Sequence, residues 1–206
     1  MRHHCPRSRV VCGLPRSGTS MLMQTLAAGG VPPLTDSLRQ PDEDNPRGYF
    51  EYEPATHLLQ DTTWVANARG KVVKLVLPFV PFLSPGEAYK LVIIQRDLTA
   101  TLASQRKMLA RLGREEGQAD LSEDELMCEY GAQEHRAANW LDARPQITTL
   151  PLDYDAVLSN PLGAVTQIAE LLGRSFDTGA AAQAIDPALK RQGRKLTESR
   201  NPSSYV

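Results

Sequence analysis

The amino-acid sequence predicts a three-layer α/β fold with a mostly parallel central sheet, of the P-loop nucleotide-binding type. Short apolar segments alternate along the chain with segments that repeat apolar residues at the helical period. Such alternation places parallel strands side by side and helices on both faces of the sheet. A glycine-containing loop at residues 13–20 lies between the first predicted strand and the first predicted helix, where nucleotide-binding proteins hold phosphate groups. The 206 residues contain no internal repeat or long linker, so we expect a single domain over residues 1–206.

The predicted strands and helices follow from periodicity and from terminal signals. Four short, apolar segments are predicted strands: residues 9–14, 71–77, 91–95 and 147–152. Five segments are predicted helices: residues 19–28, 54–69, 99–112, 122–141 and 161–172. Gly29 and Gly173 end the first and last of these, Pro54 suits a first helical turn, and Ser122 with Glu125 forms a capping box.

The segment at residues 31–53 is expected to be irregular and to border the functional site. It contains four prolines, Pro32, Pro33, Pro41 and Pro46, among acidic residues. So many residues that break helices and strands exclude regular structure, and connections of this length usually serve function.

Composition excludes several classes of protein. A formal net charge of -1 argues against bulk nucleic-acid binding. The three cysteines, Cys5, Cys12 and Cys128, are an odd number and have no CxxC spacing, so neither a disulfide framework nor a zinc site is indicated. No run of about 18 apolar residues occurs, and the N-terminus lacks the apolar segment of a secretion signal. We therefore expect a cytoplasmic protein without a membrane span.

The loop at residues 13–20, GLPRSGTS, has the G-x-x-x-x-G spacing of a phosphate loop. Backbone N–H groups in such a loop converge on an anion, and the N-terminus of the following helix adds favourable partial charge. Thr19 occupies the position where ATP- and GTP-binding loops have lysine, and the cation is instead Arg16, inside the loop. A simple glycine turn would share the spacing, but the added arginine, threonine and serine favour an anion site.

A second motif lies at the end of the third predicted strand. The strand sequence LVIIQ is followed by Arg96, and Ser104 lies eight residues further along, within the next helix. A guanidinium offers a planar fork of donors suited to a phosphate, and a serine hydroxyl can add another hydrogen bond. Each residue alone fits a surface position equally well. The prediction of a phosphate site therefore depends on finding this motif together with the loop at residues 13–20.

These motifs resemble those of the sulfotransferases that use 3′-phosphoadenosine 5′-phosphosulfate (PAPS). The loop is similar to the family's 5′-phosphosulfate loop, and Arg96 with Ser104 is similar to its 3′-phosphate site. Residues 45–51, NPRGYFE, and Asp153-Tyr154-Asp155 resemble further segments of the family, and a basic tail at residues 190–195 resembles a late segment weakly. The resemblance implies PAPS as donor, with adenosine 3′,5′-bisphosphate as product, and these donor-binding residues: Pro15, Arg16, Ser17, Gly18, Thr19, Ser20, Arg96, Ser104, Tyr154 and Arg191.

The resemblance also implies catalytic roles for Arg16, Lys74 and Glu51. Arg16 and Lys74 would stabilise the oxygen that leaves with the nucleotide. The family's Lys-Thr-His sequence appears here as Lys74-Leu75-Val76, so the histidine base is missing. Glu51 is the preferred base, and Glu53 and His57 remain alternatives. This chemistry requires no metal.

The predicted function is transfer of a sulfuryl group from PAPS to a hydroxyl or amine of a small-molecule, glycan or lipid acceptor, without a nucleic-acid partner. One alternative is a small P-loop kinase in which Asp97 binds magnesium. Another is a module that binds the nucleotide without catalysis. The sequence does not specify the acceptor or the oligomeric state.

Overall fold

The centre of the fold is a sheet of four parallel strands in the order β2-β1-β3-β4. The structure, a computed structural model, describes residues 7–36, 38–42, 45–84, 86–111, 122–173 and 175–187. The strands are β1 (Ser8–Gly13), β2 (Val72–Val76), β3 (Tyr89–Gln95) and β4 (Thr148–Asp153). All three pairings between them are parallel. Each strand lies within two residues of its predicted position.

Seven α-helices and two 3-10 helices are present in the described part of the chain. The α-helices are α1 (Thr19–Ala28), α2 (Glu53–Thr56), α3 (Leu98–Arg111), α4 (Glu123–Asp142), α5 (Tyr154–Ser159), α6 (Pro161–Leu172) and α7 (Thr178–Ala184). The 3-10 helices are Thr63–Ala68 and Leu77–Phe82. Of these helices, none is both long and apolar enough to cross a membrane.

Two apolar clusters pack on opposite faces of the sheet. Strand side chains alternate between the faces, so Val10 of β1 joins one cluster and its neighbour Val11 joins the other. The cluster with Val10 includes Trp64 of the first 3-10 helix, and the cluster with Val11 includes Leu22 of α1 and Ile168 of α6. The sheet is therefore covered on both sides, and the predicted three-layer α/β class with a parallel sheet is confirmed.

The helix boundaries agree with the predicted signals at three places. Helix α1 occupies the predicted residues, and α6 has Asn160 as its N-terminal cap, whose side-chain oxygen accepts a hydrogen bond from the N–H of Gly163 at 3.0 Å. In the capping box, the Ser122 hydroxyl accepts from the N–H of Glu125 at 3.3 Å, and the Glu125 carboxylate accepts from the N–H of Ser122 at 2.7 Å. These caps satisfy N–H groups that the helices leave unpaired.

The predicted helix at residues 54–69 is wrong. Helix α2 ends at Thr56, turns follow, and a 3-10 helix begins at Thr63. The side chain of Asp61 accepts a hydrogen bond from the N–H of Thr63 at 2.7 Å, which starts a new turn instead of continuing the helix. Thr62, Thr63 and Val65 are β-branched and favour helices less than unbranched residues do. Helices α5 and α7 were not predicted.

The carboxyl ends of the strands meet at one edge of the sheet. Gly13 at the end of β1 is in register with Val76 of β2 and with Ile94 of β3, and Gln95 is in register with Asp153 of β4. The loop after β1, Arg96 after β3 and Tyr154 after β4 therefore start from the same edge. In open parallel sheets, ligands bind at this edge.

Candidate functional site

The loop between β1 and α1 is closed by short-range hydrogen bonds. The backbone N–H and the hydroxyl of Ser17 both donate to the carbonyl of Leu14, at 3.2 and 2.7 Å. Ser17 is 1% exposed, so its side chain is buried and stabilises the loop from the protein interior. Gly18, with φ 113, is the N-cap of α1 and has no side chain that could cap the helix. The N–H groups of the first turn of α1 are therefore available to an anion.

Arg16 has a strained backbone and contacts two other elements. Its φ of 68 lies in the left-handed region, which costs a non-glycine residue about 1–3 kcal/mol. Its carbonyl accepts a hydrogen bond from Nη1 of Arg96 at 3.0 Å. Its Nε donates to the Ser104 hydroxyl of α3 at 3.2 Å. The loop cation is thus held against the residues of the second sequence motif.

Tyr154 lies between Gly18 and Arg96. The guanidinium carbon of Arg96 is 4.4 Å from the centroid of the Tyr154 ring. The same ring packs on Gly18 so closely that a Cβ added there would lie 2.7 Å from a ring carbon. Asp153 fixes the start of α5, because its carboxylate accepts from the N–H of Ala156 at 2.7 Å. Tyr154 is 7% exposed, and the structure places it against the phosphate loop.

Glu51, just before α2, forms an ion pair with Lys74 of β2. Nζ of Lys74 donates to Oε1 of Glu51 at 3.2 Å and to the carbonyl of Tyr49 at 2.6 Å. Burial lowers the pKa of Lys74, and the charge of Glu51 partly offsets that effect. Arg39 also donates to Oε1 of Glu51, at 3.1 Å. Both cations contact one carboxylate oxygen, and Oε2 has no hydrogen-bond partner among the described residues.

Tyr49 and Phe50 hold this side of the site in place. The guanidinium carbon of Arg39 lies 3.4 Å from the centroid of the Tyr49 ring. The Tyr49 hydroxyl donates to the carboxylate of Asp42 at 2.7 Å, and burial together with this contact raises the pKa of Tyr49 to about 12. Phe50, with φ 54, is strained in the same way as Arg16. Strained non-glycine residues therefore occur on both sides of the site.

These features line one cleft of about 260 Å³. Of the predicted site residues, those that line the cleft are Pro15, Arg16, Gly18, Thr19, Ser20, Glu51, Lys74, Arg96, Ser104 and Tyr154. Further lining residues, which sequence reasoning missed, include Gln24, Arg39, Tyr49, Gln105 and Asp186. Cationic side chains (Arg16, Arg39, Lys74 and Arg96) outnumber the acidic ones (Glu51 and Asp186) in this lining. The cleft therefore suits an anionic ligand.

The other predicted residues lie elsewhere. The alternative bases Glu53 and His57 pair with each other at 2.8 Å, are more than half exposed, and are not among the described residues that line the cleft. Asp97 accepts a hydrogen bond from the N–H of Ala100 at 2.9 Å at the start of α3 and does not line the cleft either. Arg191 lies outside the described residues. In the described ranges, no group of three or more His, Cys, Asp and Glu could hold a metal ion.

Comparison with solved structures identifies the fold as that of sulfotransferase domains. The sulfotransferase domain of the Synechococcus PCC 7002 olefin synthase has a TM-score of 0.54 at 18% identity, over 99% of this chain and 92% of that one. The sulfotransferase domain from the curacin biosynthetic pathway has a TM-score of 0.53 at 12% identity, over 91% of this chain and 83% of that one. A sugar kinase from Janibacter sp. HTCC2649 has a TM-score of only 0.41 at 14% identity, over 89% of this chain and 97% of that one. No family model and no curated protein sequence matches the chain.

Proposed function

We propose that this chain is a sulfotransferase that transfers the sulfuryl group of PAPS to a hydroxyl or amine of an acceptor. The observation that carries the proposal is that an uncapped phosphate loop, the Arg96–Ser104 motif and the Lys74–Glu51 pair all line the same cleft. The sulfotransferase fold supports it. The excess of cations in the cleft suits a donor that carries several negative charges.

In this proposal the donor is held through its two phosphate ends. The loop residues Pro15 to Ser20 hold the 5′-phosphosulfate, chiefly through the backbone N–H groups at the start of α1. Arg96 and Ser104, on the adjacent strand end and helix, hold the 3′-phosphate. Tyr154 supports both, because its ring contacts the loop at Gly18 and the guanidinium of Arg96. Arg191 would add a further 3′-phosphate contact.

The proposed reaction is a single in-line displacement. The acceptor oxygen or nitrogen forms a bond to sulfur while the bond between sulfur and the bridging oxygen of the 5′-phosphate breaks. The electron pair of the broken bond leaves with adenosine 3′,5′-bisphosphate, and Arg16 and Lys74 stabilise the charge that develops there. Oε2 of Glu51 takes the proton of the acceptor, while Lys74 and Arg39 hold the carboxylate through Oε1.

The alternatives have less support. A P-loop kinase needs a loop lysine and a metal-binding carboxylate, whereas position 19 is threonine and the Asp97 carboxylate binds the backbone of α3. A module without catalysis would keep the donor site but would have no use for a carboxylate facing the cleft between two cations. The Lys74–Glu51–Arg39 arrangement therefore favours an enzyme.

The donor assignment is tested by calorimetric titration with adenosine 3′,5′-bisphosphate, adenosine 5′-phosphate and magnesium-ATP. Charge-assisted hydrogen bonds contribute about 1.5–3 kcal/mol each, so the bisphosphate should bind at least about tenfold more tightly than adenosine 5′-phosphate. Equal affinity for the bisphosphate and adenosine 5′-phosphate would contradict the proposal. Tighter binding of magnesium-ATP than of the bisphosphate would favour the kinase. Incubation with ³⁵S-labelled PAPS and a panel of phenol, sugar, fatty alcohol and amine acceptors then separates an enzyme from a silent module.

A further inference from the structure

Arg16 contacts both residues that the proposal assigns to the other phosphate. Its carbonyl accepts a hydrogen bond from Nη1 of Arg96 at 3.0 Å, and its Nε donates to the Ser104 hydroxyl at 3.2 Å. The partners of Arg16 lie 80 and 88 residues away in sequence. The loop for the 5′-phosphosulfate and the site for the 3′-phosphate are therefore joined by direct hydrogen bonds.

The bond from Arg96 acts on the strained part of the loop. Arg16 has φ 68 and Gly18 has φ 113, so the backbone between them follows a course that ordinary residues avoid. Such a conformation persists only when its surroundings hold it. Arg96 holds the carbonyl of Arg16, and Tyr154 packs on Gly18 while supporting the guanidinium of Arg96. Arg96 and Tyr154 thus contact both ends of the segment that the proposal assigns to the 5′-phosphosulfate.

We infer that Arg96 is a positioning residue for the phosphate loop as well as a phosphate ligand. Binding of a phosphate group at the Arg96–Ser104 site then raises the affinity of the loop for the 5′-phosphate group, and the reverse also holds. The inference rests on the proposed function. A guanidinium carries five N–H donors, and it can donate to a carbonyl and to a phosphate at once. A 3′-phosphate bound to Arg96 would hold the guanidinium in place, and the guanidinium would hold the loop in its binding conformation. Pre-organisation of this kind raises affinity by removing the cost of ordering the site.

The test is the affinity for adenosine 5′-phosphate, which has no 3′-phosphate. If Arg96 only binds the 3′-phosphate, Arg96→Ala leaves the affinity for adenosine 5′-phosphate unchanged. If Arg96 also positions the loop, Arg96→Ala lowers that affinity at least about fivefold, in addition to abolishing the preference for the bisphosphate. Calorimetric titration of both nucleotides against the wild type and the variant gives the answer. An affinity for adenosine 5′-phosphate within twofold of the wild type would overturn the inference.

Arg96→Lys tests whether the effect of residue 96 comes from its hydrogen bond to the carbonyl of Arg16 or only from its positive charge. Lysine keeps the positive charge but lacks the planar fork that stacks on Tyr154 and reaches the carbonyl of Arg16. We expect Arg96→Lys to weaken binding of adenosine 5′-phosphate nearly as much as Arg96→Ala. If lysine restores the wild-type affinity, the effect is one of charge alone and the inference is wrong. Lys107→Ala, which removes an exposed cation from the same helix, serves as the control and should leave both affinities unchanged.

Tyr154 gives an independent route to the same answer if Arg96→Ala does not fold. Tyr154→Leu removes the ring that packs on Gly18 and on the guanidinium of Arg96, and it should lower the affinity for adenosine 5′-phosphate at least about threefold. An affinity of Tyr154→Leu within twofold of that of Lys107→Ala would contradict the inference. A wild-type protein with no preference for the bisphosphate would instead contradict the proposed function, so the two failures are distinguishable.

Discussion

The two sides of the cleft are built in different ways. The phosphate loop is local: Ser17 bonds to Leu14 three residues earlier, and the loop leads directly from β1 into α1. The segment at residues 31–53 is held by distant partners. The carbonyl of Tyr49 accepts from Lys74 of β2, and Arg47 pairs with Asp186 at 3.0 Å beyond the end of α7. The turn on one side is formed by bonds within a short stretch of sequence, with Arg96 and Tyr154 packed against it, whereas the other side is formed only in the finished fold.

This difference matches the two parts of the proposed reaction. A donor that is the same for all members of a class needs a fixed phosphate site, and a strand, loop and helix provide one. The acceptor differs between enzymes, and irregular loops positioned by a rigid scaffold are where such variation occurs. We therefore expect changes on the loop side to affect binding of the donor, and changes at Glu51 to affect turnover.

The largest expected effect comes from Glu51→Gln. The amide keeps the shape of the side chain and can no longer accept the proton of the acceptor, and loss of a general base costs about 10²–10⁴-fold in turnover. We expect turnover with ³⁵S-labelled PAPS to fall at least about 100-fold, with the affinity for adenosine 3′,5′-bisphosphate within threefold of the wild type. A parallel loss of affinity would show that Glu51 supports the donor site, and the contrast between the two sides would fail.

Two controls accompany this variant. Glu53→Gln and His57→Ala change a hydrogen-bonded pair of side chains that do not line the cleft and are both more than half exposed. An exposed pair of this kind contributes about 0–1 kcal/mol to stability. Both control variants should keep turnover within about threefold. If His57→Ala is inactive and Glu51→Gln remains active, the base has been assigned wrongly.

The same contrast explains which site residues the sequence could predict. Arg16, Gly18 and Thr19 belong to a motif with fixed spacing, so a pattern of eight residues was enough to find them. Arg39 and Tyr49 belong to a proline-rich segment without periodicity. Tyr49 contacts Lys74 and Asp42, and Arg39 contacts Glu51 and the Tyr49 ring. No local pattern places Arg39 over the Tyr49 ring.

The fold follows a similar rule. The sheet and the helices α1, α4 and α6 were predicted closely, because each has an apolar periodicity and clear terminal signals. The predicted helix at residues 54–69 was wrong, because Pro54 gave a start signal while the turn at Asp61 depends on one side-chain hydrogen bond. Helices α5 and α7, with 6 and 7 residues, are too short for a helical period to be seen.

A smaller effect is expected from Gly18→Ala on the donor side. The new Cβ would lie 2.7 Å from the Tyr154 ring, and φ 113 disfavours any side chain. Gly30→Ala is the matched control, because Gly30 has φ 89 but no atom within 4 Å of its added Cβ. Both variants carry the backbone strain of a left-handed alanine, about 1–2 kcal/mol. Only Gly18→Ala should also weaken binding of adenosine 3′,5′-bisphosphate, by at least about tenfold.

Thermal unfolding and calorimetric titration of the two glycine variants separate strain from steric displacement. Similar losses of stability with different losses of affinity would agree with a ring that packs on the loop. If Gly18→Ala and Gly30→Ala bind the bisphosphate equally well, the contact between Gly18 and Tyr154 does not set the affinity of the loop for the bisphosphate. This prediction would then be wrong.

The smallest expected effect is a shift in the titration of Lys74, which forms an ion pair with Glu51. Burial favours the neutral amine and holds the pKa of Lys74 below that of an exposed lysine, while the anion at Glu51 favours the charged form. In Glu51→Gln the anion is lost and Arg39 remains, so the pKa of Lys74 should fall further.

The pH titration of ¹³Cε of Lys74, followed by NMR in lysine-labelled protein, measures this pKa directly. Wild-type Lys74 should lose its proton at lower pH than an ordinary lysine side chain does, Glu51→Gln should move that transition lower still, and Glu53→Gln should leave it unchanged. An upward shift in Glu51→Gln would mean that the carboxylate does not stabilise the Lys74 cation, and the ion pair proposed to position the base would have to be abandoned.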